Sequence, residues 1–170
     1  MTNHKSNTER LVIVAILIAM EVILTRFVAI STPMVRIGFG FLPMVLVAIC
    51  YGPLWAGGAY ALADFVGSML FPSGAYFPGF TLSAFISGVI YGLILYRHKV
   101  TWKNTLLAVI LVLLGVNLLV NTAWITIIVG KGYLALLPAR FIKELICIPI
   151  DTALILAVNK IAERTLRPAV

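Results

Sequence analysis

Charge is what this sequence has least of. Lys, Arg, Asp and Glu together make up 11% of its 170 residues, against roughly a quarter in ordinary soluble domains. Hydrophobic residues reach 62%, and a water-soluble fold of this size could not hide that much apolar surface. Histidine is nearly missing as well. His4 and His98 both sit in short polar segments, so no apolar run carries an imidazole base or metal ligand. A Walker A loop, an HExxH helix and a GxSxG elbow are all absent, which excludes nucleotide hydrolysis by that route and the familiar membrane hydrolases. There is no CxxC. Cys50 and Cys147 lie in separate apolar runs and read as small hydrophobes rather than a disulfide or a metal site. The formal charge is +7, but the basic residues form no stripe interleaved with polar groups, which argues for membrane topology and against nucleic-acid binding.

What is present is a succession of long apolar runs. A hydrocarbon core of about 30 Å is crossed by roughly 20 apolar residues in a helix. Six runs suit this role, at about 11–30, 37–50, 54–70, 80–96, 105–129 and 136–162. The first is followed by no small-residue cleavage site and is expected to stay as a helix rather than leave as a signal peptide. Punctuation is clear: Ser31-Thr32-Pro33 closes the first run and Tyr51-Gly52-Pro53 separates the second from the third. The expectation is an all-α integral membrane protein of about six transmembrane helices, a single domain over 1–170. Six crossings put both termini on one side. That side collects Lys5, Arg10, Arg97, Lys99, Lys103, Lys160, Arg164 and Arg167, eight of the thirteen basic residues, and is therefore expected to be cytoplasmic.

Ionisable side chains inside membrane spans are expensive and usually face a bundle interior or a cavity. On this topology they gather toward the outer ends of the helices. Arg26 ends the first helix, Asp64 lies in the outer half of the third, and Arg140, Lys143 and Glu144 occupy the first turns of the sixth, with Arg36 and Lys131 on outer connections. Asn117, Asn121 and Trp124 climb the outer half of the fifth at helical spacing. An outward-facing pocket with cations awaiting an anionic ligand accounts for the set. Taken singly, Arg140 and Glu144 at i,i+4 read equally as an ordinary helix pair, and Arg26 and Lys131 as snorkelling cations. Asp64 has no partner in its own Gly/Ala/Val-rich helix, so it either pairs with Arg26 or accepts N–H bonds from a ligand. The connection Phe71-Pro72-Ser73-Gly74-Ala75-Tyr76-Phe77-Pro78-Gly79-Phe80 combines backbone punctuation with four aromatics. With Trp124 it could wall a flat heteroaromatic ring, or serve as an interfacial aromatic belt.

Several of these elements resemble the substrate-binding components of energy-coupling factor (ECF) vitamin transporters. They are the six-helix plan, Ala15 and Ala19 in an AxxxA spacing on the first helix, Tyr51-Gly52-Pro53, and Ala63-Asp64-Phe65-Val66-Gly67. The stretch FPSGAYFPGFTLSA from Phe71 to Ala84 is most similar to the folate-specific branch. The resemblance implies a multi-pass protein of a prokaryotic cell membrane. Such a protein captures a vitamin from outside and joins a transmembrane coupling protein and two cytoplasmic ATPases. It has no catalysis or cofactor of its own, since ATP is used by the partners. Ala15 and Ala19 would then meet the coupling protein. For a folate, Asp64 or Asn121 would read the pterin edge, and Tyr76, Phe77, Phe80 and Trp124 would wall the rings. Arg26, Lys131, Arg140 or Lys143 would hold the glutamate carboxylates. Thiamine or pantothenate are alternative cargoes, although a cationic vitamin fits poorly with bases outnumbering acids in the outer zone. A lipid-modifying enzyme and a scaffold protein are further alternatives. The first lacks a carboxylate or histidine cluster at the inner interface, and the second leaves the punctuated aromatic loop without a purpose.

Overall fold

In the computed structural model, residues 7–31, 36–72, 76–130 and 132–165 are described. Six helical rods account for most of them. The first, α1, is α-helical over Asn7–Ile23 and continues as a widened, π-type turn over Leu24–Val28. A two-residue antiparallel ladder follows, β1 (Ile30–Ser31) against β2 (Arg36–Ile37), with Ile30 opposite Ile37. Then come α2 (Phe41–Tyr51), α3 (Pro53–Leu70) and α4 (Pro78–Leu95). The fifth rod, α5, runs without a break through Trp102–Ile110, a π-type segment Leu111–Val120, and Asn121–Val129. The last, α6, spans Tyr133–Thr165 and keeps Pro138 and Pro149 inside it.

Helix starts follow local chemistry. Pro53 and Pro78 open α3 and α4 at the first turn, where a missing N–H is no loss and the fixed φ already suits a helix. Between α2 and α3, Gly52 takes φ +92° with the Tyr96 ring 3.3 Å from where its Cβ would stand, so the turn needs a residue without a side chain. The second helix departs from expectation. It was expected from residue 37, but 36–37 belong to the ladder and the helix begins at Phe41. Gly38 and Gly40 explain the delay: a Cβ on Gly38 would lie 2.6 Å from Ala29 Cβ, and one on Gly40 would overlap the Thr25 methyl. The chain is pressed against the end of α1 before it can coil.

The packing is that of a membrane protein. Large apolar side chains point outward, with Leu54 77% and Leu134 80% exposed, a surface that suits lipid and not water. Among the described residues, three helices, Asn7–Val28, Pro78–Leu95 and Trp102–Ile128, are long and apolar enough by length and composition to cross a bilayer. At the centre sits short α2, whose Met44, Val45, Val47, Ala48 and Ile49 are fully buried and which packs on α1, α3, α4 and α6. The most extensive helix contact joins α3 to α4, and small residues make it possible. A Cβ on Gly88 would sit 2.5 Å from the Ala56 carbonyl oxygen, one on Gly57 2.8 Å from Val89 Cγ2, and one on Gly92 would overlap the Pro53 backbone. Lipid supplies no hydrophobic drive between helices, so such close backbone approach is the chief source of affinity here. Neither Cys50 nor Cys147 is in a disulfide.

Replacing Gly88 or Gly92 by Leu is expected to destabilise the protein by about 3 kcal/mol or more. Gly58→Ala, at an open position, is the neutral control. Thermal unfolding in detergent checks this, and equal melting temperatures for all three variants would refute the close α3–α4 contact.

Candidate functional site

The polar residues of the bundle collect at one end, where α1, α3 and α5 finish and α4 and α6 begin. Asp64 stands on α3, one turn before Ser68. Its Oδ2 accepts a 2.8 Å hydrogen bond from Thr81 Oγ1 on the first turn of α4. Tyr76 OH lies 3.0 Å from the same Thr81 oxygen. Because the Thr81 proton is committed to the carboxylate, Tyr76 is the donor in that second contact. Tyr76 also meets Phe65 edge-on, with ring centroids 5.8 Å apart. Asp64 is thus tied to α4 and to the aromatic connection.

Arg26 occupies the π-type turn that ends α1. Its Nη2 donates to Ser68 Oγ at 3.0 Å, and a Cβ on Gly67 would come within 3.1 Å of its Nε. The glycine in Asp-x-x-Gly therefore makes room for a guanidinium. This places the Arg26 head one helical turn, about 6 Å, beyond Asp64 along α3. The alternative of a direct Arg26–Asp64 pair gives way to two separate anchors, Ser68 for the cation and Thr81 for the carboxylate.

The aromatic wall is assembled on the other flank of α4. Phe77 packs on Trp124 with centroids 5.4 Å apart and on Phe80 at 6.3 Å. Trp124 Nε1 donates to Ser83 Oγ at 3.1 Å. Gly79 lies beneath both rings, since its Cβ would be 2.5 Å from Phe77 Cε1 and 2.7 Å from Trp124 Cδ2. Thr81 and Ser83, two residues apart, thereby hold Asp64 on one side of α4 and Trp124 on the other.

A third group joins α5 to α6. Asn121 Nδ2 donates to Asn117 Oδ1 at 3.1 Å, and Arg140 Nη2 donates to the Asn117 carbonyl at 3.0 Å. The wide segment makes this carbonyl reachable. Asn121 N–H reaches back five residues to Val116, and such a π-turn leaves a carbonyl beside it open to an outside donor. Arg140 is buried, 8% exposed. Lys143 Nζ bonds both oxygens of the fully buried Glu144, at 3.0 and 3.1 Å. Glu144, the i,i+4 candidate for Arg140, is thus hydrogen-bonded by its immediate neighbour Lys143, while Arg140 Nη2 reaches α5. Lys131 lies outside the described residues.

These contacts are consistent with the comparisons. The profile described as "ECF transporter, substrate-specific component" matches residues 9–158. The chain belongs to that family. Its members are transport components and not enzymes. The chain is 46% identical over 154 residues to the Folate transporter FolT of Clostridium novyi (strain NT), an alignment covering 91% of this chain and 90% of that protein. It is 35% identical to the Folate transporter FolT of Leuconostoc mesenteroides, covering 88% and 84% respectively. A solved structure, FolT bound with folic acid, superposes with a TM-score of 0.86 at 38% identity, over 91% of this chain and 95% of that one.

For this ECF component the sequence pointed to charged and aromatic residues but missed the small hydroxyls that hold them. Ser68, Thr81 and Ser83 look unremarkable singly. A usable signal existed for Ser83: Gly79, Ser83, Ser87 and Tyr91 recur every four residues and are all buried, marking the inner face of α4. Away from this end, Ala15 and Ala19 are exposed on α1. Ala15 lines an apolar groove of about 410 Å³ with Ile18, Trp55, Gly58 and Leu62.

Gly79→Ala is expected to push Phe77 and Trp124 apart. In a background carrying Trp55→Phe and Trp102→Phe, the remaining indole should become more accessible to acrylamide quenching. An unchanged quenching constant would contradict the stacked arrangement.

Proposed function

We propose that this chain is the folate-binding subunit of an ECF-type transporter in a prokaryotic cell membrane, taking the vitamin at its outer face for delivery inward. The observation that carries this reading is the close superposition on FolT with folic acid bound, at an identity well above the level where likeness speaks of fold alone. The 46% identity to a Folate transporter FolT supports the same cargo. Six crossings with both termini cytoplasmic fit the basic residues near the chain ends and in the α4–α5 connection.

The chemistry of the polar end suits a folate. A pterin offers a donor-rich edge, and Asp64 keeps acceptor capacity beyond its bond to Thr81. Asn121 supplies a second acceptor, its buried Oδ1 having no hydrogen-bond partner among the described residues. Phe77, Phe80 and Trp124 present ring faces and edges suited to stacking, with Tyr76 beside them. Arg26, Arg140, Lys143 and Lys131 are the cations for the two glutamate carboxylates. Bonds of that type are about twice as strong as neutral ones. No cofactor takes part, and ATP is spent by partner subunits. The exposed Ala15 and Ala19 of α1 are the surface for the transmembrane coupling protein, which carries two cytoplasmic ATPases.

Fluorescence titration of the purified protein in detergent with folate, with thiamine and pantothenate as controls, tests the assignment. Saturable quenching by folate alone, near one ligand per chain, is expected. Binding of thiamine or pantothenate instead would redirect the cargo assignment. Replacing both Arg26 and Arg140 by Ala is expected to weaken folate at least 10-fold, about 1.4 kcal/mol or more, and unchanged affinity would remove them from the carboxylate role.

A further inference from the structure

Asp64 is the one charged side chain on a helix made mostly of Gly, Ala and apolar residues. Left alone, its carboxylate would be free to choose among rotamers. The structure removes that freedom by a chain of hydroxyls. Tyr76 OH gives its proton to Thr81 Oγ1, and Thr81 gives its own to Asp64 Oδ2. A hydroxyl carries one proton and two acceptor sites, so the direction of this chain is set by the carboxylate at its end. Each donation polarises the next bond. Thr81 itself is fixed by the backbone, because α4 starts three residues earlier at Pro78 and α4 is held to α3 by glycine contacts. The Tyr76 ring is fixed in turn by Phe65, the neighbour of Asp64.

We propose that Thr81 is a positioning residue for the cargo, acting through Asp64: its hydroxyl aims the carboxylate and links that aim to the aromatic connection carrying Tyr76. The proposal rests on the folate reading above, in which Asp64 accepts from the pterin edge. It assigns a role to a residue outside the set proposed above to contact the ligand. It also explains why a tyrosine, rather than a phenylalanine, stands at position 76, since the ring contact with Phe65 needs no hydroxyl. When the connection is in place, the Tyr76–Thr81–Asp64 chain is complete and the carboxylate is held.

The test is folic acid affinity in detergent for five variants, each checked for folding by its melting temperature. Thr81→Val keeps the shape and removes the hydroxyl, so affinity is expected to fall on the order of tenfold. Thr81→Ser keeps the hydroxyl and is expected to restore binding to near wild type, a rescue that a merely space-filling role would not show. Tyr76→Phe leaves the Thr81–Asp64 bond and is expected to weaken binding less than Thr81→Val does. In Asp64→Ala, which itself binds weakly, adding Thr81→Val should change nothing further. For p-aminobenzoylglutamate, which lacks the pterin, wild type and Thr81→Val should bind alike. Wild-type protein that does not bind folic acid would remove the folate reading and this proposal with it. A wild type that binds, with Thr81→Val binding equally well, overturns the proposal and leaves the folate reading standing. If Thr81→Val fails to fold, Thr81→Ala against Thr81→Ser makes the same comparison, and equal affinities again overturn it.

Discussion

The α3–α4 contact is the constraint on which the rest of the molecule depends. Gly57, Gly88 and Gly92 let the two helices approach until backbone meets backbone or the root of a side chain. At that distance neither helix can slide or rotate without collision, so the register between them is fixed to within a fraction of an ångström. Everything polar at the far end inherits that register. Asp64 meets Thr81 because α3 and α4 are locked, and Trp124 finds Ser83 because the other flank of α4 is locked with them. A binding site on loops would have to pay separately for each such alignment; here a single dry interface sets several.

The polar groups are arranged so that few of them meet hydrocarbon alone. Arg26 has Ser68, Asp64 has Thr81, Trp124 has Ser83, Arg140 has the Asn117 carbonyl, and Lys143 has Glu144. Most of these partners are neutral. A neutral hydroxyl or carbonyl orients a charge without cancelling it, and the ion keeps most of its attraction for an opposite charge that arrives later. Lys143 is the exception, already matched by a buried carboxylate.

How much of this was visible in the sequence varies by element. The number of helices followed from apolar runs, and the break between α2 and α3 from Tyr51-Gly52-Pro53, because glycine and proline act through local sterics that need no neighbour; α4 begins at Pro78, two residues ahead of the expected 80. The start of α2 did not follow. Ile37 continues the apolar run, yet what delays the helix is contact between Gly38, Gly40 and the end of α1, which is tertiary information. At the site, the unusual residue types drew attention and their partners did not. A serine in an apolar helix has no distinguishing pattern until the helix opposite is known, and the choice of Glu144 between Arg140 and Lys143 depends on where the Asn117 carbonyl lies.

The brevity of α2 has a consequence for the depth of the site. Eleven residues rise only about 16 Å at 1.5 Å each, roughly half the thickness of a hydrocarbon core. The deficit is filled by the small β1–β2 ladder and the glycines after it, next to the turn of α1 that carries Arg26. Lined up from the shared turn at Gly52, the start of α2 stops about 10 Å short of the end of the 18-residue α3, so the floor of the polar end is set back from its rim. Counterions from bulk solution enter such a recess poorly, and a charge held there feels a lower effective dielectric than one at the rim. On the proposed reading, an acidic cargo held there would lose less affinity to added salt than one bound at the rim.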